Sequence, residues 1–133
     1  MDLYEWAVAF VSSRFYSEKY IIKKTDFGFT AGNDSEMLYC IVMPDIDINP
    51  MLKIVGGKKV FVFVHNTVKN LSVICDNWNR LVNYPMLRLY FVNPSSRYDA
   101  FWAICPFAHD RVADKSSLRQ GLRAMFNTVE PKI

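Results

Sequence analysis

The segment Lys58-Lys59-Val60-Phe61-Val62-Phe63-Val64 constrains this chain more than any other. Valine alternating with phenylalanine suits a pleated strand, and the lack of any polar position from 60 to 64 requires cover on both faces. The residues that follow indicate the kind of cover. Val68, Leu71, Ile74, Cys75, Trp78, Leu81 and Val82 recur at helical spacing, with Thr67 placed to cap the helix. Lys69, Asn70, Asp76, Asn77 and Arg80 fall on the opposite, solvated side. Asn83-Tyr84-Pro85 stops the helix, and Met86 to Val92 returns as a second apolar strand. Strand, helix and strand in this order predict a βαβ unit with parallel strands and a right-handed crossover.

The flanking segments extend this unit. Asp2 and Glu5 form a capping-box pair, so Glu5 reads as a cap and not as a catalyst. Leu3, Trp6, Ala7 and Phe10, with Tyr4, Val8, Val11 and Phe15 beside them, make a helix apolar on much of its circumference, suited to lie on a sheet. Tyr20-Ile21-Ile22 and Phe27 to Thr30 read as one strand with a polar middle. After the Ala31–Asp34 turn, Met37 to Met43 reads as a central strand in a hairpin with it. Pro44 and Pro50 predict a break in regular structure at both ends of 44–50, and Gly56-Gly57 a turn. Asn93 to Ser96 reads as a loop, Tyr98 to Cys105 as a strand, and Pro106 to Arg111 as a loop. A last helix is predicted from Asp114, with Leu118, Leu122, Met125, Phe126 and Val129 on one face, ended by Glu130-Pro131. The expectation is one α/β domain over 1–133, a mixed sheet of about five strands with flanking helices.

Chain length and an apolar fraction of 51% permit a sizeable core without staples. Cys40, Cys75 and Cys105 are odd in number, far apart and flanked by apolar residues, as free, buried thiols in a reducing compartment are. Their spacing offers no metal knuckle. With no secretory signal and no membrane-length apolar stretch, a soluble, cytoplasmic protein is expected.

The order helix, three strands, helix, strand resembles the core of the restriction-endonuclease-like superfamily, which includes the archaeal Holliday-junction resolvases. The resemblance covers Asp2 to Val92 and rests on topology and hydropathy. It implies an acid near the second core strand and an acid-x-lysine triplet in the next, holding a divalent metal against a phosphodiester. Pro44-Asp45 stands where the first acid belongs, and the triplet reads Phe63-Val64-His65. Phenylalanine replaces a carboxylate and histidine replaces the lysine. The departure falls on the residues that carry the chemistry, so the resemblance implies a nuclease-like scaffold without its metal site and without a cofactor.

The leading reading is therefore a catalytically silent binding or assembly module that contacts nucleic acid. An alternative is an active phosphodiesterase with a rearranged site from Asp45, His65 and His109, in which Asp45 and Asp47 hold a metal. A metal-free variant pairs a histidine with Lys115 and Tyr98, similar to the tRNA-splicing endonucleases. Against it, Asp110 and Arg111 read as ties between their loop and the last helix, with His109 exposed. A third alternative is a structural subunit covered by a partner. Basic residues gather at Lys19, Lys23 and Lys24, and at Lys53, Lys58 and Lys59. Lys115, Arg119 and Arg123 recur every four residues, a stripe suited to phosphates or to solvent. The net charge of +3 permits a polyanion without demanding one. Nucleic acid, a protein partner and self-association are the partner classes left open; a membrane is not among them.

Overall fold

The computed structural model describes residues 1–14 and 20–133; the expectations on Phe15 and Lys19 lie outside them. Helix α1 (Leu3–Arg14) leads into strands β1 (Ile21–Lys24), β2 (Gly28–Gly32) and β3 (Met37–Val42). Helix α2 (Ile48–Val55), strand β4 (Val60–His65), helices α3 (Val68–Asp76) and α4 (Trp78–Leu81) and strand β5 (Leu87–Val92) follow. Strand β6 (Phe101–Ile104) and helices α5 (Pro106–Val112) and α6 (Leu118–Phe126) complete the order. The six strands form one mixed sheet in chain order, parallel from β3 to β5 and antiparallel elsewhere.

The βαβ unit has the expected parallel pairing, from Val60 opposite Leu87 to His65 opposite Val92. Alternation along the strands separates two cores. On one face, Ile41, Val62, Leu89 and Phe91 pack with residues of α2, α3, α4 and α6. On the other, Cys40, Phe61, Phe63, Tyr90 and Val92 pack under α1. The expected caps are in place: Glu5 N–H donates to Asp2 Oδ1 at 2.8 Å, Asp2 N–H to Glu5 Oε1 at 3.3 Å, and Asn70 N–H to Thr67 Oγ1 at 3.1 Å.

Several boundaries differ from expectation. The single strand read across 20–30 is two, because Thr25 and Asp26 turn the chain, with Thr25 N–H on the Gly28 carbonyl at 3.0 Å. The sheet accordingly has six strands. Pro50 does not break structure but sits third in α2, where its missing N–H has no intrahelical partner to lose. Pro106 likewise opens α5 in what reads as a loop. The helix stripe from Val68 to Val82 is interrupted at Asn77, whose side chain bonds back to the Val73 carbonyl at 2.8 Å. Lys115 lies in a short 3-10 turn (Lys115–Ser117) before α6. No helix among the described residues is long and apolar enough to cross a membrane.

Candidate functional site

The carboxyl ends of β3 and β4 open on a cleft of about 530 Å³, the position where ligands of open α/β sheets bind. Val42 and Pro44 enter it from the end of β3, His65 from the end of β4, Leu3 and Tyr4 from the start of α1, and Ser95 and Lys132 from the far side.

The buried polar residues among those described are Asn66, Asn70 and Asn93, and all three fix these walls. Asn70, expected on the solvated side of its helix, is fully buried. Its Nδ2 donates to the carbonyls of Pro44 at 2.7 Å and His65 at 2.8 Å, while its Oδ1 accepts the Ile46 N–H at 2.9 Å. One side chain thus pins the loop carrying Asp45 to the end of β4. Asn66 accepts Trp102 Nε1–H at 2.8 Å and donates to the carbonyls of Phe126, Val129 and Glu130, the closest at 3.1 Å. Its own carbonyl accepts Lys132 N–H at 2.8 Å. Asn93 donates to the Glu130 carbonyl at 3.0 Å. The last residues are therefore strapped across β4 and β5, which brings Lys132 to the cleft. None of these asparagines stands out in the sequence, because Asn66 at a strand end and Asn93 beside proline read as turn formers and Asn70 as a solvated helix position.

The His65 imidazole is held below its ordinary pKa, first by burial and then by the Lys132 ammonium, with the Asp45 carboxylate opposing both. Its side chain forms none of the hydrogen bonds found among the described residues. Among the described residues no hydrogen bond joins Ser95 to His65, although both line the cleft.

The remaining expected site residues separate. Asp45 is exposed beside His65, and Asp47 is the exposed residue ahead of α2. His109 follows β6, which runs antiparallel to β5 and places Ile104 beside Leu89 while Phe101 meets Val92. His109 therefore lies at the opposite end of the sheet from His65. There it meets the Trp78 ring edge-on at 5.7 Å, half-buried where exposure was expected. Asp110, expected to tie its segment to the last helix, instead accepts Trp78 Nε1–H at 3.0 Å and ties α5 to α4. Phe63, where the resemblance leads one to expect an acid, is fully buried and stacked on Tyr90 with ring centres 4.9 Å apart. Among the described residues no group of three or more His, Cys, Asp or Glu is placed to hold a metal ion. Asp45 and His65 alone do not fit magnesium, which requires several oxygen ligands.

Lys115, Arg119 and Arg123 are all exposed, but only the latter two share α6. Arg119 bonds Asp76 at 2.8 Å, and Arg123 lies over the Phe126 ring at 5.6 Å.

No family model, no curated protein and no solved structure matches the chain.

Proposed function

We propose that the chain is a catalytically silent binding module on a nuclease-like scaffold, and that its ligand occupies the cleft at the carboxyl ends of β3 and β4. The observation that carries this reading is the construction of the cleft. An imidazole and an ammonium stand at its mouth, on walls held by buried asparagines whose side chains are engaged on both their donor and acceptor atoms. Polar networks of this kind fix geometry, which favours recognition. The position of Phe63 under α1 supports binding over turnover.

A small-molecule screen followed by amide chemical shifts tests this. Val42, His65 and Ser95 are expected to shift together, and Ser95→Trp, which fills the cleft, to abolish the shifts. Magnesium- or manganese-dependent cleavage of DNA or RNA that disappears in Asp45→Ala would replace this reading with the phosphodiesterase one.

A second reading, nucleic-acid contact through Lys115, Arg119 and Arg123, is supported by the exposure of all three. The Asp76 partner of Arg119 reduces it. With two unpaired cations the log–log salt slope for B-form DNA is expected near about −1.8, against about −2.7 for three. Reversal of all three charges to glutamate abolishes duplex binding if the reading holds. Equal binding by both chains removes it.

A further inference from the structure

We propose that the chain pairs with a second copy of itself along β6, antiparallel about a twofold axis through Trp102, so that two six-stranded sheets continue as one. The two edges of the sheet, β1 and β6, differ in kind. β1 presents Lys23 and Lys24, and charged side chains on an edge strand oppose pairing with another chain. β6 reads Phe101-Trp102-Ala103-Ile104 and carries no charge and no proline.

The backbone of β6 is set for a partner. Asn93 N–H donates to the Ala100 carbonyl at 2.8 Å, and the β5–β6 register places these two residues opposite each other. Bonded pairs in an antiparallel ladder recur every second residue. Ala100, Trp102 and Ile104 therefore turn their backbone groups to β5, and Phe101 and Ala103 turn theirs outward. Beyond the ladder, no hydrogen bond reaches the backbone of Phe101 or Ala103 among the described residues. The side chains of the same two residues belong to an apolar rim on the α1 face. Helix α1 lies over β2, β3 and β4, and its Trp6 and Phe10 rings reach Phe101 at 5.6 and 5.1 Å. Trp6, Phe10, Phe101 and Ala103 are all only half-buried.

A twofold axis through Trp102 matches this edge to itself. It opposes Phe101 to Ala103 of the second copy, joins the outward N–H and C=O groups, and sets a ring against a methyl group. It also matches charge. The β5–β6 register, continued by one step, puts Arg88 beside Cys105, and the axis puts Asp99 of the second copy on the other side of Cys105. Asp99 and Arg88 then stand on one face two strand spacings apart, about 10 Å, within the combined reach of their side chains. Both are exposed, and neither meets an opposite charge within one chain, the ion pair among the described residues being Arg119 with Asp76. Arg88 lies over the Phe61 ring at 5.7 Å and beside the Tyr90 hydroxyl, on the α1 face where Asp99 of the second copy arrives. The contact forms twice about the axis. An unrelated strand would have to supply an open edge and this charge pattern together, whereas a second copy supplies both by symmetry.

Sedimentation equilibrium of the full chain from about 5 to about 500 µM, the range suited to a small interface, tests this. A monomer–dimer equilibrium is expected. The Phe101 and Ala103 amides are expected to gain protection from hydrogen exchange as concentration rises, while Trp102 stays protected throughout. Ala103→Pro removes an outward N–H and leaves the bonds to β5 intact, so it is expected to fold and to remain monomeric. Asp99→Arg, at an exposed position, is expected to weaken the dimer at least about 5-fold because the axis counts the change twice, and Asp99→Arg with Arg88→Asp to recover it. A native chain monomeric at the highest concentration overturns the proposal. So does a dimer that Ala103→Pro leaves unchanged, or one that protects neither amide. A dimer that Asp99→Arg leaves equally tight overturns the axis through Trp102. If Ala103→Pro fails to fold, amide protection and the charge exchange decide.

Discussion

Asn66→Ala is the perturbation that most directly probes how the cleft is built. The residue is fully buried between β4 and the C-terminal strap. The substitution leaves Trp102 Nε1–H without its acceptor at 2.8 Å, on a side chain only 5% exposed and stacked on Phe91. A buried donor left unsatisfied costs about 1–3 kcal/mol. The bond to the Val129 carbonyl at 3.1 Å adds about 1 kcal/mol, and the two contacts at 3.4 Å add little. The expected loss is about 3 kcal/mol, read as a lower urea midpoint at constant slope, or as a fall in Tm of roughly 10 °C for a chain of this size. The backbone bond from Lys132 N–H to the residue-66 carbonyl survives the substitution on paper. The strap nevertheless loses its side-chain anchor, so amide exchange across 127–132 is expected to accelerate more than exchange in β4. A loss below about 1 kcal/mol with unchanged exchange would refute the reasoning, because the strap would then be held by something other than Asn66.

Gly28→Ala is expected to destabilise by at least about 3 kcal/mol in the same assay. Gly28 has φ +153°, and a Cβ there would stand 2.2 Å from the Cys40 carbonyl oxygen. Trp78→Ala removes a side chain 5% exposed that bonds Asp110, and the expected loss is about 3–4 kcal/mol; a negligible shift of the midpoint would place the ring in solvent. His65 titrates below its ordinary 6.5 in the folded chain, so the unfolded chain binds the extra proton first as pH falls. Stability is therefore full above about pH 6.5 and declines as pH drops towards the folded pKa, then levels. Imidazole proton shifts give the folded midpoint, and His65→Asn flattens this part of the stability profile.

The parts of the fold legible in the sequence are those whose signal is local. The β4–α3–β5 unit is announced by an unbroken apolar strand and a helical stripe, and the α1 and α3 caps by side chains three residues from the amides they accept. The errors arise where one residue type serves two opposed purposes. Pro50 and Pro106 read as breakers, yet the first turn of a helix tolerates proline, and the apolar positions Met51, Leu52 and Val55 settle α2 against the sheet. Asn70 reads as a solvated helix position because its partners, Pro44 and Ile46, lie more than twenty residues away in sequence. Of the cleft, His65 is visible as a polar residue at a strand end. Lys132 is not, because its position depends on bonds from Asn66 and Asn93 to a tail that reads only as the end of a helix.

Phe63 and His65 share a face of β4, since side chains two residues apart point the same way, yet their surroundings differ completely. Phe63 lies one step inside, with Trp6 and Phe10 of α1 edge-on to it at 6.2 and 6.1 Å and Tyr90 stacked against it. His65 emerges at the mouth. The metal chemistry of a nuclease triplet needs polar groups at both positions within reach of one ion and of solvent. Replacing Phe63 by aspartate would place a carboxylate among aromatic rings under a helix, at a cost of several kcal/mol unless it stayed protonated. It would meet no ligand partner there. The difference between this site and a metal-dependent one is therefore not a single residue. It is the packing of an entire sheet face, in which Trp6, Phe10, Phe63, Tyr90 and Phe101 contact one another. The same packing supports α1, and with it the wall of the cleft that Leu3 and Tyr4 line.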